Sequence, residues 1–380
     1  MHFPTLLALL FIAFYFSAPS AGQCASSLPF PRVELHPEAS GSNVVLRTSN
    51  FKLRTSNFKP DSLTPRLFSL QPAENLHRGR LWAAVGTGTV AYGAAMIGLH
   101  RSWYANYPSK HFHSFNDLKE WNQMDKMGHW LMSYNESRWL YAGARWAGIK
   151  PRTAAWLGFA GSQLIMTSLE VYDGFSAQWG FSWSDISFNL FGSGLFLAQQ
   201  LGWHEQRITL KMSAWPASYP TESIYPYSPA GSDGSTTLQQ RADALYGTGP
   251  INLFLKNYNA LAVWASINPS AFMPGRANWL PRWLNVAVGM GAENLYAGNG
   301  YEWKGNRNCE GPDCDVYRLD PDQYPRTRQF FLSFDIDLTR IPVRNRFLRT
   351  LFGAVNILKF PAPALEWTNQ GQFKFHPIYF

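Results

Sequence analysis

The chain has 380 residues, 46% of them hydrophobic, enough for a large buried core, which excludes a disordered chain and a small disulfide-stapled scaffold. Its 33 basic and 25 acidic residues leave a net charge of +8, yet charged residues make up only 15% of the chain, against about a quarter in soluble domains. Aromatic residues reach 16%, and amphipathic rings in such numbers suit a membrane interface, so composition points to the cell envelope and names no reaction.

Leu6–Ala18 is an apolar run of signal-peptide length followed by small residues, and residues 1–22 read as a secretory signal. Gln23 stands where a lipobox places a small residue, which argues against a lipid anchor on Cys24. Residues 23–76 form a Pro-, Ser- and Asn-rich linker with a tandem copy of LRTSNFK at 46–52 and 53–59. Two seven-residue copies cannot stack into a solenoid.

Residues 77–205 read as a helical domain. Leu81–Leu99, Thr153–Leu169 and Ile186–Trp203 lack formal charge over nearly a membrane-spanning length, and a fourth helix runs through Met124–Ile149. Small residues four apart at Ala84/Gly88, Ala94/Gly98, Gly158/Ser162 and Gly194/Ala198 allow close helix packing. About four Gly/Ala-rich helices in a bundle are expected.

Past Arg207 the period changes to two. Arg207–Trp215, Asn252–Ser266, Arg282–Ala297, Arg328–Thr339, Ala364–Thr368 and Gln372–Phe380 give about six strands, and the alternation of Leu332, Phe334, Ile336 and Leu338 with polar residues, and of Leu284, Val286, Val288 and Met290 with small or polar ones, marks a sheet with one wet face. A helical pattern over Arg344–Phe360 interrupts them. The fold class is therefore α+β: a helical bundle followed by an antiparallel β-rich region over 206–380, a partial barrel or curved sheet of outer-membrane type. Six strands fall short of the eight in the smallest single-chain outer-membrane barrels, and Pro377 removes a ladder donor from the last strand. Cys309 and Cys314 enclose a short loop that an oxidising compartment would close into a disulfide.

The polar residues of the helical half are the candidate site. Asp125 and His129 lie four apart on one helix face, with Lys126 between them; Glu170 and Asp173 lie three apart at the end of an apolar helix; Asp185 and Asn189 share a face of the next. If these faces converge, Asp125, His129, Glu170 and Asp173 have the ligand types of a divalent-metal site, or of a carboxylate-poised imidazole with Lys126 and Asp185 in attendance. The structural reading of the same residues is an interhelical network that satisfies groups costly to bury alone. The chain carries no HExxH, GxSxG, phosphate-binding glycine loop or paired CxxC.

The strings DKMGHWLMSY at 125–134, EVYDGFSAQWGFSWSDISFNLFG at 170–192 and the C-terminal WLNVAVGMGAENL, FFLSFDIDLTRI and KFHPIYF resemble the YfiM-like family of uncharacterised bacterial envelope proteins, in the long form with a strand-rich tail found in Bacteroidetes. By that resemblance Asp125, Lys126, His129, Glu170, Asp173, Gly174, Ser176, Gly180, Asp185 and Asn189 match the family motif, with no role implied for any of them.

Two functional readings follow. The first is an exported, outer-membrane-associated structural or accessory protein in envelope biogenesis or transport, partnered by membrane lipid and by other outer-membrane proteins. The second is a membrane-associated, metal-dependent hydrolase or lipid-modifying enzyme using the Asp125/His129/Glu170/Asp173 cluster. Nucleic acid is not an expected partner, since the positive charge is spread along the chain.

Overall fold

The computed structural model describes residues 67–101, 109–229, 232–249, 254, 256–273, 279–306, 309, 311 and 313–380. The signal segment and the tandem repeat lie outside the described residues. The fold is α+β, with helices mostly in the N-terminal half and an antiparallel six-stranded sheet in the C-terminal half.

Helices α1 (Arg78–Leu99), α2 (Met124–Trp146), α3 (Pro151–Asp173) and α4 (Trp183–Gly202) form the bundle. Their boundaries follow from local chemistry. Pro151 opens α3 where its missing N–H costs nothing, and the Ser182 hydroxyl caps α4 by accepting from the Asp185 amide at 3.1 Å. Gly148, at φ +88°, turns the chain from α2 to α3 against the Asn75 carbonyl, where a side chain would not fit. The helices pack through small residues. A Cβ on Gly158 would come within 2.5 Å of the Ser137 carbonyl on α2. Gly192 of α4 sits equally tightly on Trp130 and Ser133, whereas Gly194, one of the small residues expected at an interface, faces open space.

The sheet is a meander in which β1 (Ile208–Ala214), β4 (Leu261–Ile267), β5 (Leu284–Glu293), β8 (Thr327–Ile336), β9 (Ala362–Thr368) and β10 (Phe373–Tyr379) pair in that order, all antiparallel. Two small ribbons, β2 (Ser223–Ile224) with β3 (Thr236–Thr237) and β6 (Glu302–Lys304) with β7 (Val316–Arg318), stand apart from it. Helix α5 (Leu238–Tyr246) starts from a capping box of Thr237 and Gln240, and α6 (Arg346–Val355) is capped by Asn345. Cys309 and Cys314 are disulfide-bonded.

The outer edge of β1 is dressed by other groups. Gln199 bonds both the amide and the carbonyl of Ile208 at 2.8 and 3.0 Å, Asn135 donates to the Leu210 carbonyl at 3.1 Å, and Met212 exchanges bonds with Ile357 and Lys359. The chain entering β9 thus runs beside β1, curling the sheet on itself. Pro377 falls in the edge strand β10, where the register shifts between His376 and Tyr379, a position that tolerates a missing donor.

The alternation of apolar and polar residues holds, but the face expected to be wet is the buried one. Lys211, Ser266, Asn285, Gln329, Ser333, Asp335, Glu366 and Thr368 are all buried on the concave side. They satisfy one another: Lys211 Nζ lies 2.8 Å from Asp335, which also accepts from Ser266 at 2.6 Å and from the Phe360 amide at 2.8 Å. Trp264, Phe331 and Tyr379 fill the space between them, with the Phe331 and Tyr379 rings 4.6 Å apart. On the convex side, the apolar residues of β1 and β4 are covered by α2 and α4 in the main core. Farther along the sheet, Val288, Phe330, Leu332, Phe334, Leu365, Trp367, Phe373 and Phe375 are exposed. A period of two fixes which residues share a face and leaves open which face meets solvent.

Candidate functional site

The junction between the two halves is set by an unusual piece of backbone. Trp121, Asn122 and Gln123 all have positive φ, 50°, 48° and 62°, although none is glycine. Left-handed conformation costs roughly 1–2 kcal/mol per such residue, so contacts must hold it. The Trp121 amide donates to the Gly298 carbonyl at 2.8 Å, Asn122 donates to the Thr327 carbonyl at 3.3 Å, and Arg328 donates to Gln123. The strand half thereby fixes the start of α2 and the residues that follow.

Lys126 is the hub of those residues. Its side chain is fully buried, and Nζ lies 2.8 Å from Asp117, 2.9 Å from Asp125 and 2.5 Å from Asp185. An ammonium has three donors, and here each meets a carboxylate. Asp117 also accepts from the hydroxyls of Ser182 and Ser184 at 2.7 and 2.8 Å, and Asp125 accepts from Tyr258 at 2.9 Å. One turn along α2, His129 Nδ1 stands 3.1 Å from Asn189 Oδ1 and 3.6 Å from Glu170, while Nε2 stands 3.7 Å from Asp185. Glu170 Oε2 accepts from the Ser182 amide at 3.3 Å. Glu170 Oε1 and Asn189 Nδ2 have no hydrogen-bond partner among the described residues.

The electrostatics follow from burial and from the carboxylates. Burial alone would lower the His129 imidazole, but Asp185, Asp125 and Glu170 outweigh it and raise it to about 9. Burial pushes Glu170 up to about 8 and Asp185 up to about 6, with His129 pulling both the other way. Burial opposes the charge on Lys126 as well, but Asp125, Asp185 and Asp117 hold it firmly protonated. At neutral pH two cations therefore face three carboxylates and one neutral carboxylic acid. The charges nearly balance within the protein.

The helices bring Asp125, Lys126, His129, Glu170, Asp185 and Asn189 together. Donor atoms of Asp125, His129 and Asp185 lie within 4.8 Å of one another, a spacing suited to a shared cation. Lys126 Nζ already bonds both of those carboxylates, so an internal cation serves the place. Glu170 sits beside the other imidazole nitrogen, and Asp173 closes α3 outside that group of three. Gly174, Ser176 and Gly180 shape the loop instead. Gly174 lies against the Phe112 ring, Ser176 bridges to Ser109, and Gly180 lies against Phe115, which sets the 174–182 loop beside the 109–117 segment and delivers Asp117 to Lys126.

Sequence reasoning missed Asp117, Ser182, Ser184 and Tyr258. Ser182 with Asp185 three residues on is an N-cap signature and was there to be read; Tyr258, 133 residues from Asp125, had no local signal. A further acid, the half-buried Glu136, is raised to about 8 by desolvation against the opposing bond from Ser162.

Residues 115–199 match the model of a family described as "Predicted periplasmic lipoprotein (DUF2279)". The stretch covers α2, α3, most of α4 and every member of the ionic cluster except Tyr258. That description supports an exported, periplasmic protein. Comparison with curated proteins and with solved structures returned no match.

Proposed function

We propose that this chain, a long form of the YfiM-like envelope proteins, is a structural or accessory component of the bacterial envelope that rests against lipid at the outer membrane, in support of envelope biogenesis or transport. The observation that carries the reading is the inside-out sheet. Its polar row is buried, and its apolar row from Val288 to Phe375 is exposed, the arrangement of a sheet whose outer neighbour is lipid. The helices add exposed Trp82, Val90, Trp156, Leu164 and Phe191. Among the described residues α1 alone is long and apolar enough to cross a membrane, and only 11% of its most apolar window is buried. Lipid is the first partner; other outer-membrane proteins reaching the free edge of β10 are the second.

In this reading the Lys126 cluster is a brace. It ties α2, α3, α4 and the Tyr258 segment by charge-assisted bonds whose net charge is small. The test of the membrane reading is fractionation of the exported chain beside a Leu332→Asp/Phe334→Asp variant. The native chain is expected in the carbonate-resistant membrane fraction and the variant, still disulfide-bonded and folded, in the soluble one. A native chain found wholly soluble overturns the proposal.

Glu170 Oε1, buried without a hydrogen bond 3.6 Å from His129 Nδ1, favours a second reading, a metal-dependent hydrolase or lipid-modifying enzyme. Metal analysis by mass spectrometry of the native chain and of His129→Ala/Glu170→Ala decides it. Stoichiometric zinc, manganese or iron lost in the variant supports the enzyme, and metal-free protein supports the brace.

A further inference from the structure

We infer that one end of the helix bundle is a docking surface for anionic lipid head groups, built from Arg78, Lys150, Arg152, Arg344, Arg346 and Arg349. The inference rests on the membrane reading above and deepens it by fixing which end of the bundle meets charged lipid.

Contacts at this end gather the six cations from three parts of the chain. The segment before α1 is hooked to the end of α2, with the Ala73 amide on the Trp146 carbonyl and the His77 amide on the Ala147 carbonyl at 3.3 and 2.9 Å. Lys150 precedes α3 three residues later. Arg346 donates to the Gln71 side chain at 3.1 Å, and Ala354 packs with Ala84, Trp139 and Trp146, which brings α6 to the same place. All six side chains are exposed. The stretch from Ile341 to Phe360 holds no acidic residue. Of the acids near this end among the described residues, Glu205 is engaged by Arg207 and Arg340 and Asp337 by Arg340, while Glu74 is exposed.

The order of side chains along the helices matches a passage from head group to hydrocarbon. Arg78 and Trp82 are four apart on α1, as Arg152 and Trp156 are on α3, so each exposed arginine stands one turn before an exposed indole. The two helices are neighbours, joined at Tyr92–Ser168 and His100–Tyr172, each 2.6 Å. Beyond the indoles, the exposed large hydrophobic side chains are Val85, Val90 and Ile97 on α1 and Leu157, Leu164 and Val171 on α3. Indoles seek the interface, and arginines reach past them to phosphate. Helix α6 repeats the design in the membrane plane, with arginines on one side and the half-buried Leu348, Leu351, Phe352 and Val355 on the other.

The test is flotation of the full chain, purified in detergent, with vesicles of phosphatidylcholine alone or with about one-third phosphatidylglycerol. Binding to the anionic vesicles is expected to be much the stronger, and salt should weaken it. At roughly fivefold per cation, Arg78→Gln/Lys150→Gln/Arg152→Gln/Arg344→Gln should lose on the order of 600-fold on anionic vesicles and little on neutral ones. Arg78→Lys/Arg152→Lys/Arg344→Lys should retain the preference, which separates lost charge from a damaged fold. Equal binding to both vesicles, or a glutamine variant that binds anionic vesicles as the native chain does, overturns the docking surface and leaves the membrane reading standing. Binding to neither vesicle overturns both.

Discussion

Replacing Lys126 by methionine tests the brace directly. Methionine keeps most of the volume, so the cavity is small and the loss is electrostatic. The ammonium touches three carboxylates at 2.5 to 2.9 Å with none of its own surface exposed. Removing one partner of a buried ion pair costs about 3–5 kcal/mol because the other charge is left uncompensated. Here three charges are left, with His129 as the remaining cation, so a loss of about 4 kcal/mol at pH 8 is expected from a total that is commonly about 10. The loss should shrink on acidification. Asp117 and Asp125 are held low by Lys126 despite their burial, and without it they rise and take up protons that relieve the strain. Denaturant unfolding in mild detergent should show Lys126→Met destabilised at pH 8, recovering about half the loss at pH 5, and further rescued by Asp185→Asn. A variant within about 1 kcal/mol of the native chain at pH 8, or a loss independent of pH, refutes the reasoning.

Two further outcomes are expected. Gly192→Ala places a methyl group against the Trp130 carbonyl and the Ser133 hydroxyl, so α2 and α4 must part; thermal unfolding should show a cost of about 1–3 kcal/mol, whereas Gly194→Ala, facing open space, should be neutral or slightly stabilising. His129 is raised from 6.5 to about 9, so the stability it contributes is complete below pH 6.5 and lost as pH rises through 9; Glu170, raised from 4.5 to about 8, acts with the same sign. Melting temperature should therefore fall between pH 6 and 9, His129 accounting for about 3 kcal/mol at most, and His129→Gln should flatten the profile.

Much of the fold was legible because its signals are local. The uncharged runs from Leu81, Thr153 and Ile186 are α1, α3 and α4, and every strand of the large sheet lies within an expected segment or overlaps it. Helix α5 escaped notice because its period is short, although its Thr237/Gln240 box marks the start. The candidate site was half legible. Helical spacing placed Asp125 beside His129, but only tertiary packing brings Asp117, fixed by Ser182 and Ser184, onto Lys126. The choice of buried face was the least legible. Phe330, Leu332 and Phe334 alternate with Gln329, Ser333 and Asp335 whichever side is covered, and the curl of the sheet around Trp264 decides it.

The most direct test of the central claim is labelling of the membrane-bound chain with a photoactivated carbene reagent confined to the hydrocarbon, followed by peptide mapping. The account predicts label on Phe330, Leu332, Phe334, Leu365 and Trp367, and none on Gln329, Ser333 or Asp335 of the same strand. Label spread evenly over both faces, or absent from the sheet while an aqueous reagent modifies its apolar row, would contradict it.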